Sequence, residues 1–375
     1  MQPRGTFNGA PPRLRLVLGA RHARFRLRLG LPRLGSVDGT FGIFPSISKE
    51  GRNGKPTVEH HRYMLRSGIL ALVWGGCWAV STVSAADDSL HPAQLKVDGA
   101  VMDVSFASGK LDLPEERVLA WIKTAAEAVT EYFGRFPVSH PRIYVRPREG
   151  RSGIFQGTTY GSDGGFTRIS VGQHTTQQEL DRDWMMTHEL THMAFPDIAG
   201  DDREHHWIEE GMATYIEPVA RCQIGVLKVE QVWGEMAKYM PQGLPEAGDQ
   251  GLDNTHTWGR TYWGGALYWM MADVQIRQRT QNRKGLEDAM RTIVEAGGTV
   301  VHEWPIEKVL EVGDRSTGTT VLADLYKRMK AAPVEIDLDD LWRKLGVQVK
   351  NGEVTFDDNA PLAEIRKAIT EARRQ

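Results

Sequence analysis

Trp184-Met-Met-Thr-His-Glu-Leu-Thr-His-Met-Ala-Phe195 is the stretch from which the rest of the chain can be read. It holds His188, Glu189 and His192 in the spacing His-Glu-x-x-His. Residues four apart on an α-helix share one face, so both imidazoles can reach a single cation. Glu189, one position on, points its carboxylate off that face, toward a water in an open coordination position. The spacing predicts zinc-assisted hydrolysis with Glu189 as the base. A surface helix with two exposed histidines would carry the same residues. The neighbours Met186, Thr187, Leu190, Thr191 and Met193 are all uncharged, however, as a buried helix requires. Phe195-Pro196 then stops the helix, because the residue before a proline is pushed out of the helical region. A third ligand has to come from elsewhere in the chain.

Composition frames that expectation. The 375 residues are 41% hydrophobic and 25% charged, ordinary for a globular protein of one or two domains. The net charge of −2 conceals an asymmetry: residues 1–63 carry twelve Lys/Arg against three Asp/Glu, and residues 86–375 carry 33 against 45. A region with that acidic excess argues against nucleic acid as a partner, since phosphate binding needs clustered basic charge. The two cysteines, Cys77 and Cys222, are not expected to pair, because Cys77 lies in a segment expected to be removed.

That segment is residues 64–86. Arg66 supplies a positive start, Gly68–Val80 an apolar core, and Val83-Ser84-Ala85-Ala86 the small residues of a signal-peptidase site. A retained anchor is the competing reading, but the run is short and interrupted by Gly and Ser, so no stable membrane span is expected in the mature chain. A signal peptide beginning at Met64 leaves the Arg-rich residues 1–63 upstream of it. They are expected to be a wrongly assigned start, with an arginine-rich targeting extension as the alternative.

Downstream, residues 97–106 alternate as a strand, and a helix is expected from Pro114 to Phe133, with Val118, Ile122, Ala125, Val129 and Tyr132 on one face. Arg142–Arg148 reads as a strand. The glycine-rich stretch 153–172 reads either as a loop entering a strand or as a plain hairpin. After the His-Glu-x-x-His helix a polar loop, 197–206, leads to a second helix opening at Trp207. Further helical patterns fall at 228–240, 286–296 and 323–329. A hairpin is expected around Asn351-Gly352, and Leu362, Ile365 and Ile369 mark a final helix.

The second helix carries Trp207-Ile208-Glu209-Glu210-Gly211-Met212-Ala213. This resembles the Trp-Leu-Asn-Glu-Gly-Phe-Ala pattern of aminopeptidase N-like enzymes, within the gluzincin group of zinc peptidases, whose third ligand is a glutamate on a following helix. The resemblance implies Glu210 as that ligand, with Glu209, His205 and His206 as competitors and Thr214 as a donor that could orient the carboxylate. A metzincin is excluded, because its Gly and third His would fall on Phe195 and Ile198. Tyr262-Trp263-Gly264-Gly265-Ala266-Leu267 is similar to the Tyr-Glu-Lys-Gly-Ala-Leu segment of the same enzymes. That likeness implies Tyr262 as an oxyanion donor; packing among Trp258, Trp263 and Trp269 is the plain alternative, and His256 a secondary candidate. In thermolysin-like enzymes the strand before the metal helix lies at the cleft edge and binds substrate backbone. The Gly-x-Met-Glu-Asn motif that captures a free amino terminus is missing; its place holds Gly164-Gly165-Phe166-Thr167-Arg168.

The resemblance, carried by roughly residues 140–300, implies an α+β fold: a thermolysin-like zincin catalytic domain with a small mixed sheet followed by a mainly helical lobe, over 87–346. A hairpin and helix follow over 347–375. The expected function is an exported (secreted or periplasmic) zinc metallopeptidase. It would hold one Zn2+ on His188, His192 and Glu210, with Glu189 and Tyr262 acting on a peptide or protein substrate. A catalytically silent, zinc-stabilised envelope binding or assembly protein is the alternative. The leader makes its own testable statement: protein recovered from its native host should begin at Ala86 or Asp87 by intact mass, and a species retaining Met1 would refute it.

Overall fold

The computed structural model describes residues 92–200 and 202–372, all of which fall in one unit. The extension 1–63 and the leader 64–86 lie outside the described residues.

Strands β1 (Ala93–Val97) and β2 (Ala100–Phe106) form a hairpin turning at Asp98-Gly99, where φ is 43° and 80°. Positive φ at both positions gives the two-residue turn whose twist matches antiparallel strands. The single strand expected over 97–106 is thus broken by its own Asp-Gly pair. Helix α1 (Glu115–Phe133) starts after Pro114, carries Glu115 and Glu116 at the positive end of its dipole, and ends at Gly134 in the left-handed conformation. It buries the expected face, from Val118 to Tyr132.

After α1 come β3 (Arg142–Arg148), β4 (Ile154–Tyr160) and β5 (Phe166–Gly172). The stretch 153–172 is therefore a hairpin. The sheet order is β1-β2-β3-β5-β4, with β2, β3 and β5 parallel and the two outer strands antiparallel to their neighbours. This is the small mixed sheet expected. Its inner face buries Met102, Val104, Ile143, Val145, Ile169 and Val171, and β4 lies at an edge.

Helix α2 (Gln177–Arg182) opens with a capping box between Thr176 and Glu179, and α3 (Met185–His192) follows at once. Asp183 accepts from the amides of Met185 and Met186 and from Trp121 Nε1, so the start of α3 is tied to α1. The short β6 (Asp197–Ile198) precedes α4 (Asp202–Gln223). Helix α4 begins five residues earlier than its Trp207 signature suggests. His205 and His206 therefore sit on a helix instead of a freely reaching loop, and Trp207 and Ile208, both buried, extend the apolar face back toward the helix start.

The helical lobe continues with α5 (Val229–Tyr239), α6 (Gly265–Arg279), α7 (Leu286–Glu295), β7 (Glu303–Trp304), α8 (Ile306–Thr317), α9 (Val321–Met329) and α10 (Leu338–Leu345). Hairpin β8 (Val347–Lys350) and β9 (Glu353–Phe356) and helix α11 (Ala363–Thr370) close the chain, packing on α5 and on α4 and α6 respectively. No described helix is long and apolar enough to cross a membrane.

One crossing matters for the site. Helices α4 and α6 meet at Gly211 and Gly265, so closely that a Cβ on Gly211 would overlap the Gly265 backbone and a Cβ on Gly265 would overlap the Trp207 carbonyl. Glu210 and Tyr262 sit just before the two contact points. Gly211→Ala should therefore cost about 1–3 kcal/mol through overpacking, seen as a lower melting temperature; an unchanged melting temperature would show that the crossing yields without strain.

Candidate metal centre and cleft

Helix α3 presents His188 and His192 one turn apart, and α4 packs across it to bring Glu210 to the same point. His188 Nε2 lies 3.3 Å from His192 Nε2, Glu210 Oε2 lies 3.1 Å from His188 Nε2, and the third edge, to His192 Nε2, is 3.7 Å. A tetrahedral zinc with bonds of about 2.0–2.1 Å spaces its ligands by about 3.3–3.4 Å. Two neutral nitrogens and one carboxylate oxygen at these separations fit such an ion. This trio is the group of His, Cys, Asp or Glu found with metal-holding spacing among the described residues.

The competitors fall elsewhere. Glu209 Oε1 faces the Ile198 amide at 3.4 Å, on the side toward β6, and burial pushes its pKa up to about 7. His205 is buried and its Nδ1 has no hydrogen-bond partner. His206, exposed, lies with Nε2 3.6 Å from the other Glu210 oxygen, one turn before it on α4. Thr214 Oγ1 is buried without a partner, so it does not orient Glu210. His256 is exposed and does not line the cleft.

Electrostatics follow from this packing. Burial works against a charge on His192, but the Glu210 carboxylate outweighs it and lifts the imidazole to about 9. Burial likewise opposes ionisation of Glu210, yet His192 and His188 hold its carboxyl far below the usual range. Burial raises Glu189, with the two histidines pulling the other way. Glu189 Oε2 accepts from Thr159 Oγ1 at 2.9 Å, and the same hydroxyl lies 2.8 Å from the Glu189 carbonyl and 2.8 Å from Thr167 Oγ1. Thr159, on β4, is the site residue that sequence reading missed: it is one of several threonines in 153–172, and no spacing singles it out.

Gly157, also on β4, lies against the Glu189 side chain, where a Cβ would come within 2.5 Å of Oε1. The strand lining the cleft is thus β4, while Phe166-Thr167-Arg168, read from sequence as the place of the amino-terminus motif, belongs to the next strand inward. The cleft holds about 730 Å³ between β4, α3, α4, Tyr262 and Val300.

Tyr262 sits in a π-helical turn, Arg260–Gly264, that leads into α6. Such turns insert one residue and re-aim side chains, often at functional sites. Its ring stacks on Trp258 at 5.6 Å and faces His188 at 6.4 Å. Packing and cleft lining thus apply to the same residue. Burial, then the Glu210 and Glu189 carboxylates, push its phenol well above the ordinary value, so it keeps its proton at neutral pH.

Comparison with known proteins bears on the fold. An aminopeptidase N family protein from Idiomarina loihiensis superposes with a TM-score of 0.52 at 13% identity, over 70% of this chain and 50% of that one. An M1 zinc metallopeptidase from Deinococcus radiodurans gives a TM-score of 0.43 at 15% identity, over 66% and 51%. The chain spans about half the length of these proteins. No protein-family model and no curated protein matches it. The first of these likenesses shows that the gluzincin resemblance read from the sequence holds at the level of the fold.

Metal loading tests the geometry. Glu210→Gln should cut bound zinc, measured by inductively coupled plasma mass spectrometry, to under about a tenth of an equivalent, whereas Glu209→Gln should leave it near one. Because His192 keeps its proton to about pH 9 without a cation, and a cation needs the neutral ring, zinc affinity should rise with pH, by roughly tenfold per unit through neutrality, and level off above that value. A pH-independent affinity would contradict the arrangement.

Proposed function

We propose that the chain is a zinc metallopeptidase of thermolysin-like architecture, exported as its leader suggests, that hydrolyses peptide bonds. The observation that carries this reading is the trio of donor atoms on His188, His192 and Glu210, with the Glu189 carboxylate held beside it by Thr159. The fold it shares with an aminopeptidase N family protein supports the reading.

His188 and His192 would hold zinc through Nε2, and Glu210 through a carboxylate oxygen. Zinc, when bound, polarises the scissile carbonyl and lowers the pKa of a water to around 7. The chain's own residues do the rest. Edge strand β4 offers unpaired backbone groups, to which an extended peptide adds as a further strand. The Glu189 carboxylate accepts a proton from the attacking water and returns it to the leaving amine. Burial, which raises its pKa, favours the proton it holds between the two transfers. Thr159 fixes one oxygen of that carboxylate, leaving the other free for the water. Tyr262 retains its proton and directs the hydroxyl at the oxyanion that develops on the carbonyl. The water's hydroxyl group joins the carbonyl carbon, the C–N bond breaks, and the amine leaves carrying the transferred proton.

A silent, zinc-stabilised binding protein would have no use for a buried carboxylate positioned by a threonine. The discriminating experiment is cleavage of an N-acetylated, internally quenched peptide library by zinc-loaded protein. Glu189→Gln should bind zinc normally and lose about 10³-fold or more in kcat. Tyr262→Phe should lose about 10²-fold in kcat with little change in KM. Equal peptide profiles from wild type and Glu189→Gln, with zinc at one equivalent in both, would exclude the peptidase reading.

A further inference from the structure

The outer face of the sheet is unlike the rest of an acidic chain. Registers pair Tyr144 with Arg168, Thr158 with Arg168, and Tyr160 with Phe166, so these side chains share the face opposite Ile143, Thr167 and Ile169. Arg142, Arg146 and Arg148 on β3 have the same parity as Tyr144. Two arginines there lean over the edge strand. Arg168 lies 5.9 Å above the Tyr160 ring and donates from Nη2 to its hydroxyl at 3.2 Å. Arg151 lies 4.4 Å above the Phe155 ring. Neither makes an ion pair with a described carboxylate. Asp103 is engaged by Gln94, and Glu179 by Ser152 and Thr176, while Glu149, in the turn beside Arg151, is exposed. Tyr160 and Thr158 also line the catalytic cleft, so the basic face and the cleft meet along β4.

We propose that Arg168 selects substrates bearing acidic side chains next to the scissile bond. The inference rests on the peptidase reading of the cleft and names its substrate class. A peptide added to β4 lies about 4.8 Å from it, and its side chains alternate between the two faces. The residue that pairs with Tyr160 or Thr158 points to the outer face, as they do. There it meets a guanidinium already drawn across β4 to the edge, with N–H groups left over once the Tyr160 contact is made. A carboxylate matches that planar donor fork and a lysine is repelled by it. Single-stranded nucleic acid is a poorer occupant, because Arg151 already lies over the Phe155 ring and Tyr160 is already stacked on Phe166, which takes up faces that bases would use.

Matched N-acetylated quenched peptides, differing only by Glu, Ala or Lys at each position flanking the cleaved bond, test this. Wild type should favour Glu over Lys by about 10–100-fold in kcat/KM at one position two residues or fewer from the cleavage point. Arg168→Glu should invert that ratio, and Arg168→Ala should bring it near one; because each ratio is taken within one variant, partial misfolding cannot mimic it. Binding of the same peptides to zinc-loaded Glu189→Gln, by fluorescence anisotropy, separates the two readings. Acidic preference in binding without any wild-type cleavage would sink the peptidase and leave the acidic site. Cleavage with no acidic preference, or a preference unmoved by Arg168→Glu, would overturn the inference and leave the peptidase. Competition by oligo-dT but not by a Glu-rich peptide would likewise overturn it.

Discussion

The contact between Glu210 and the two α3 histidines is the constraint on which this structure turns. Three polar atoms from two helices meet in a largely buried place, and each is costly there alone. The carboxylate offsets the burial of the imidazoles, and they offset its own, which explains why Glu210 stays ionised while neighbouring Glu209 tends toward its neutral form. Two adjacent glutamates are thus told apart by which side of α4 they face. The same contact dictates what else must be close. Helix α3 needs a firm start, supplied by Asp183, and α4 needs a fixed height relative to α6, supplied by the glycine crossing.

The helical lobe supplies that fixity through buried polar networks instead of apolar packing alone. Arg277 binds Asp273 and Glu287 at 2.7–2.8 Å, Asp273 also accepts from Tyr215 and the Leu286 amide, and Tyr215 belongs to α4. Trp269 on α6 donates to the Ile208 carbonyl, and Trp207 donates to Asp253. These bonds span α4, α6 and α7 around the glycine crossing. Each is directional, so α4 cannot slide or turn against α6 without leaving a buried group unpaired. The precision required at Glu210 and Tyr262 is met by groups remote from the cleft.

Much of this was legible in the sequence, and the pattern of what was not has physical causes. Helices α3 and α1, the β8–β9 hairpin and α11 were readable because local spacing alone specifies them. Glu210 needed a comparison of motifs, because its partnership with His188 is made through tertiary packing across 22 residues. The early start of α4 was hidden because Asp202–Glu204 are polar and look like loop until the burial of Trp207 is known. The turn at Asp98-Gly99 was present in the letters and was overridden by the alternation around it. Thr159 was invisible for a different reason: its role depends on which face of β4 it occupies.

That face is decided by a bulge. Ile154 pairs with Val171 and Phe155 with Ser170, but Thr158 pairs with Arg168, so β4 spends one more residue than β5 between the two pairs. Gln156 takes up the excess with φ of 57°. Side chains alternate with period two, so an odd insertion exchanges the faces of everything beyond it. Phe155 points outward; without the bulge, Thr159 would point outward as well and Thr158 inward. With it, Thr159 turns in to Glu189 while Thr158 and Tyr160 turn out to Arg168. One extra residue in an edge strand therefore sets both the support of the Glu189 carboxylate and the outward placement of Thr158 and Tyr160 beside Arg168, and neither can change face without the other.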